Sequence, residues 1–124
     1  MITVTLFFEV LVDLLANYRA LVSTRADDGR LETIRREFRI TRGPAWLLER
    51  LVTADGRLLR RGALKAAMRL AGEGRALDPA QIDAYADQVR LAIGADAIET
   101  VDRQGWRITP MGRLRARRAG LRPA

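Results

Sequence analysis

The sequence predicts a mainly α-helical fold that ends in a small β-hairpin, and three observations predict it. Apolar residues recur at steps of three and four through most of residues 1–93, the helical period. The stretch "DPAQIDAYADQVRLAIG", residues 78–94, carries a helix start signal at one end and a stop signal at the other. The stretch "AIETVDRQGWRIT", residues 97–109, alternates apolar and polar residues on either side of the break Asp102-Arg103-Gln104-Gly105.

Composition narrows what such a fold can do. A chain of 124 residues with 48% hydrophobic content is expected to form one domain around a real core. It contains no cysteine, which excludes disulfides, thiolate zinc sites and thiol catalysis. It contains no histidine, which removes the commonest general base and metal ligand. No nucleotide fingerprint and no well-set carboxylate pair is present, and Asp27-Asp28 reads as a solvated linker pair. The expectation is a protein that is not an enzyme, with no cofactor and no metal. The lack of cysteine is compatible with a cytoplasmic location, which is expected.

The net charge is +7, from 22 basic and 15 acidic residues, and its distribution is uneven. Residues 1–40 hold six of each sign, and residues 41–109 hold eleven basic and nine acidic. Residues 110–124 hold Arg113, Arg115, Arg117, Arg118 and Arg122 with no acid. Two readings of this segment stand: a basic tail attracted to polyanions such as nucleic acid, or a solvated tail that confers solubility.

The elements follow in order. "MITVTLFFEVLVDLLANYRALV" lacks the basic n-region and cleavage site of a signal peptide. Glu9 and Asp13 also argue against a membrane span. Val4, Phe7, Leu11, Leu14, Tyr18 and Leu21 form a heptad-like seam. A helix so nearly apolar all round must be buried. It packs either on its own domain or against the same helix of a second chain, and a homodimer is the favoured expectation. This assigns residues 1–24 to an oligomerisation helix.

"STRADDG" reads as a linker. Leu31, Ile34 and Phe38 predict a short helix, with a strand as the alternative. Thr41 is placed to cap the next helix, Pro44 lies in its first turn, and Gly56 suits its stop. Trp46, Leu47, Leu48, Leu51 and Val52 form its inner side. "RGALKAAMRL" is a further helix, with Ala63, Leu64, Ala67, Met68 and Leu70 facing inward. "AGEGRAL" reads as a loop. Its Gly-x-Gly follows a helix and lacks a third glycine, so it is no phosphate-binding turn. In residues 78–94, Asp78 is the N-cap, Pro79 sits at the first helical position, Gln81 completes a capping box and Gly94 marks the end. Ile82, Tyr85, Ala86, Val89 and Ile93 form one buried stripe. The opposite face carries Ala80, Ala84, Asp87, Gln88 and Leu91, flanked by Gln81 and Arg90.

Helix, helix, loop, capped helix and hairpin is the order of a winged helix-turn-helix, here preceded by an amphipathic, coiled-coil-like helix. Residues 40–108 resemble the OmpR/PhoB-type effector domain of response regulators. The likeness rests on the Thr41 helix start, "LLERL", "DGRLL", Leu64, the Ile82-Asp83 pair and "IETV…GWRI". The last of these, with an aromatic just after a glycine, is the most specific. The expected form is stand-alone, without a receiver domain, like small bacterial or phage members with an N-terminal helix. The resemblance implies a winged-helix domain over residues 25–109, with the basic tail, 110–124, beyond it.

It also implies a DNA-binding transcription regulator acting on double-stranded DNA, in which the hairpin is the wing and Arg103 at its tip meets the minor groove. Gln81 and Gln88 would read bases, and Arg60, Arg61, Arg90 and Arg107 would hold phosphates. Arg113, Arg115, Arg117 and Arg118 would add sequence-independent affinity. The sequence departs from the family pattern at five positions. Asp87 and Gln88 stand where arginine is frequent, Arg103 where glycine is common, Asp102 where a basic residue is frequent, and Arg60 where a capping Ser or Thr is usual. The alternative is a winged helix that docks a protein through Ala80, Ala84 and Leu91, as an adaptor or inhibitor of RNA polymerase or a sigma factor.

Overall fold

The computed structural model describes residues 28–70 and 77–121. The N-terminal seam from Val4 to Leu21, and with it the dimer expectation, lies outside the described residues, as do residues 71–76 and Arg122. Among the described residues the order is α1 (Asp28–Phe38), α2 (Arg42–Ala54), β1 (Leu59–Arg60), α3 (Arg61–Leu70), a 3₁₀ turn (Pro79–Gln81), α4 (Ile82–Ile93), β2 (Ile98–Val101), β3 (Gly105–Ile108) and α5 (Pro110–Arg118). The described residues are therefore mainly helical, with one small antiparallel sheet of order β1-β3-β2 among them.

Helix α2 lies at the centre. Every residue from Gly43 to Val52 is buried, because α1, α4 and β3 all pack on it. The inner side expected from its spacing is therefore only part of what it buries. Glu49 and Arg50 are buried too, and their burial is tolerable because they are partnered. Arg50 Nε donates to Glu49 at 2.6 Å, Thr53 Oγ1 donates to Glu49 at 3.0 Å, and Arg30 from α1 approaches the same carboxylate at 3.5 Å. Asp55 ends the helix with a left-handed backbone, φ 49°, and Gly56 follows at φ 94°. The stop expected at Gly56 thus begins one residue earlier. Thr41 occupies the N-cap position with an extended backbone but makes no side-chain cap bond.

Helix α1 buries Leu31 and Ile34 against α2, at the spacing that predicted a helix. It already includes Asp28 and Gly29, which the sequence had assigned to the linker. Helix α3 buries Leu64 and Met68 and half-buries Ala63 and Ala67. Leu70, expected on that inner face, is 73% exposed. Two residues beyond Met68 it has turned about 200° around the axis and lies on the opposite side. Helix α4 buries Ile82, Ala86, Val89 and Ile93, with Tyr85 at the rim, as its periodicity indicated. The Tyr85 hydroxyl lies 3.0 Å from the Asp78 backbone nitrogen, which donates to it.

The hairpin expected at residues 97–109 is present. Its two strands pair from Ile98↔Ile108 to Val101↔Gly105 around a turn at residues 102–104. A third strand, β1, was not expected. It pairs Leu59 with Trp106 and Arg60 with Gly105, which makes β3 central. Gly105 allows this approach, since a Cβ there would collide with the Leu59 carbonyl.

Residues 110–118 correct the reading of a basic tail. They form α5, which docks on the sheet and on α4 and buries Gly112 and Ala116, while Leu121 is buried just beyond it. Thr109 caps α5. Its Oγ1 accepts from Gly112 N at 3.1 Å and donates to the Asp96 carbonyl at 2.6 Å, and Pro110 occupies the first turn. Gly112 lies so close to the Ala97 carbonyl that a larger residue would push the helix off the sheet. The boundary at 109/110 thus falls inside one packed unit.

Candidate functional site

The charged side chains expected to form a site divide according to what the folded chain already does with them. Helix α4 presents Gln81 (just before it), Asp83, Asp87, Gln88 and Leu91 to solvent, with Ala84 and Arg90 at its margins. Leu91 is 87% exposed, the most exposed of the large apolar side chains among the described residues. The face reasoned from sequence is therefore the outward face of the helix. The helix does not start as a capping box would start it. Asp78 accepts from Ala80 N at 3.0 Å, Pro79–Gln81 wind as a 3₁₀ turn, and regular α-helix begins at Ile82.

Arg61 connects the helical and sheet parts of this surface. It opens α3, directly after β1, and its backbone N–H donates to the Gln104 carbonyl at the hairpin turn, 2.9 Å. Its guanidinium carbon lies 5.2 Å from the centre of the Trp106 ring. Its terminal nitrogens contact the two oxygens of Asp83, at 2.9 Å and 3.3 Å. A two-pronged contact of this kind is how arginine holds carboxylates and phosphates alike. Arg90, one turn from Asp87, contacts that carboxylate at 3.3 Å. Two arginines expected to hold phosphates are thus both engaged by acids of α4.

The remaining expected contacts separate in the same manner. Arg107 donates across the hairpin to Glu99 at 2.7 Å. That bond holds the Glu99 carboxyl below its usual range and raises Arg107 further. Arg60, half-buried at the end of β1, also has a partner within the protein. Arg113 approaches Asp55 at 3.7 Å. Arg115 donates to the Ile93 carbonyl at 2.9 Å and to Asp96 at 3.1 Å, and this bond lowers the Asp96 pKa. Arg113 and Arg115 therefore fasten α5 to the domain. Arg117 and Arg118 are exposed on α5 without an ion pair among the described residues.

Arg103 stands at the hairpin tip, exposed, with a left-handed backbone at φ 57°. It occupies the third turn position, where the Gln104 N–H donates back to the Val101 carbonyl at 2.8 Å. Glycine or asparagine suits that position, so the arginine is held there at a conformational cost.

Sequence reasoning missed the Trp106–Arg61–Asp83 stack, because its members are far apart in the chain. An Arg next to a strand-like "RLL" and a Trp in a hairpin carry no pairing signal until β1 is known to join β3. Among the described residues no group of acidic side chains is arranged to hold a metal, and no helix is long and apolar enough to cross a membrane. Comparison with protein-family models, curated proteins and solved structures finds no match.

Proposed function

We propose that this chain is a DNA-binding transcription regulator built as a winged helix-turn-helix of the OmpR/PhoB effector type. One observation carries the reading: Arg61 lies between Trp106 of the hairpin and Asp83 of α4, which brings the exposed face of α4 and a hairpin with an arginine tip to one arginine. In this reading α4 enters the major groove, and Gln81 and Gln88, both exposed, meet base edges. Arg103 reaches a neighbouring minor groove, where a narrow, electronegative channel favours arginine. Arg117 and Arg118 add phosphate contacts. The seam from Val4 to Leu21 supports a homodimer, which would bind paired half-sites.

Selection from a random duplex pool, followed by salt-dependent shift assays, tests this reading. Enrichment of a motif supports it. Gln81→Ala or Gln88→Ala should then change the preferred base at one position by about 1–3 kcal/mol. A pool that enriches no motif overturns the sequence-reading role. A second reading rests on Leu91: at 87% exposed, on the outward face that also carries Ala84, Asp87 and Gln88, it suits a protein contact on RNA polymerase or a sigma factor. In that case Leu91→Asp abolishes the partner complex and leaves duplex binding flat.

A further inference from the structure

We infer that Asp83 and Asp87 are internal counter-ions that compete with nucleic-acid phosphates for Arg61 and Arg90, and so restrain sequence-independent binding. The inference rests on the DNA-binding reading and assigns a role to two acids that this reading leaves as departures.

The geometry of Arg61 supports this role most directly. Its guanidinium is held by the Trp106 ring on one face, at 5.2 Å. Its Nε is buried without a hydrogen-bond partner, so the inner edge of the group is enclosed. Only the outer edge can serve an incoming group, and both its terminal nitrogens are occupied by Asp83. Two carboxylate oxygens across an arginine fork take the place of two phosphate oxygens, with similar hydrogen-bond directions and the same single negative charge as a backbone phosphodiester. Asp83 is itself 60% exposed, so it can rotate into water when a phosphate takes its place. Arg90 and Asp87 form a simpler pair one turn further on, a single contact at 3.3 Å with the acid 73% exposed and the arginine 27% exposed.

The consequence is electrostatic. Affinity for arbitrary duplex comes from counter-ions released by phosphate contacts. An arginine that must first leave a carboxylate gains less from a phosphate than one that leaves only water. Binding is then weakest where the duplex offers phosphates alone, and base contacts from α4 must supply the difference. A helix face with two acids is, on this account, tuned for discrimination between sites.

The test compares wild type, Asp83→Asn, Asp87→Asn, Arg61→Gln and Asp83→Asn/Arg61→Gln on one fixed random-sequence duplex across a salt series. Glu32→Gln on α1 is the control for a loss of one negative charge elsewhere, since among the described residues Glu32 pairs with its own helix neighbour Arg35, at 2.6 Å. Circular dichroism first establishes that each variant is folded. The expected result is that Asp83→Asn binds more tightly, with a log–log salt slope steeper by about 0.9, the value of one phosphate contact. Glu32→Gln should leave the slope unchanged. Arg61→Gln should matter little in wild type and remove the whole gain in the Asp83→Asn background. A gain that survives Arg61→Gln, or that Glu32→Gln reproduces, overturns the inference. If wild type binds duplex and Asp83→Asn matches it, the inference falls while the DNA-binding reading stands. If neither protein binds, both fall. If only Asp83→Asn binds, the counter-ion role is upheld in its strongest form.

Discussion

Trp106→Ala should remove the support on which the hairpin and Arg61 both depend. Trp106 is 2% exposed on the central strand, between Leu59 of β1 and Thr100 of β2. Its strand packs on α2, and Arg61 lies over its ring. Burying an aromatic of roughly 150–250 Å² contributes about 4–6 kcal/mol by area. Measured Trp and Phe truncations in cores cost about 3–5 kcal/mol, cavity included. A loss near 4 kcal/mol is expected, a large part of the roughly 5–15 kcal/mol that a domain has in total. With a urea m-value near 2 kcal/mol/M, within the usual range, the midpoint should fall by roughly 2 M. Trp46, 5% exposed in α2, remains as the fluorescence reporter in the variant, and far-UV circular dichroism follows the helices independently. Trp106→Phe should cost less, because a smaller ring still fills most of the site. A loss below about 1 kcal/mol for Trp106→Ala, with unchanged m-value, would show that the hairpin does not pack on α2 through this side chain.

Four further outcomes are expected. Arg103→Gly should raise stability by about 0.5–1 kcal/mol in thermal or urea unfolding, since relief of a left-handed arginine, about 1–2 kcal/mol, is partly offset by the greater freedom of unfolded glycine. Gly105→Ala should cost about 1–3 kcal/mol, because the new Cβ meets the Leu59 carbonyl and forces β1 away from β3; amide exchange at Arg61, bonded to Gln104, should accelerate first. Leu121→Ala should destabilise the fold by about 2 kcal/mol or more in urea unfolding, an effect a solvated tail would not produce. On acidification, Asp96 and Glu99 have folded-state pKa values lowered by Arg115 and Arg107, so their stabilisation is complete above the ordinary carboxylate range and is lost as pH falls through and below it. Asp96→Asn should flatten that acid limb in a urea titration repeated from pH 6 to pH 3, with α5 the first element to lose amide protection.

The elements themselves were legible in the sequence wherever a periodic apolar stripe met a terminal signal. In residues 78–94 the stripe Ile82, Ala86, Val89 and Ile93 and the residues Asp78, Pro79 and Gly94 all point to one helix, and local preference agreed with packing. The hairpin was legible because alternation on both sides of a polar break leaves few other folds for residues 97–109. Helix α5 carried a usable signal that five arginines hid. Thr109-Pro110 followed by Gly112 is an N-cap, a first-turn proline and a close-packing glycine, yet charge invited the reading of a tail.

Other features were beyond the reach of sequence because they depend on which segments meet. The pairing of β1 with β3 is two residues long and has no period of its own; it exists because Gly105 lets the Leu59 backbone approach. The burial of Glu49 and Arg50 follows from α2 being enclosed on every side, and no residue type along it announces that. The partners of the arginines are the same kind of fact. A sequence counts Arg61, Arg107, Arg113 and Arg115 as positive charge, but tertiary structure assigns each to a particular acid. Local preference and periodicity act over a few residues and can be read along the chain. Ion pairing and close approach act through space, so only the fold decided which charges of this basic protein remain for a partner.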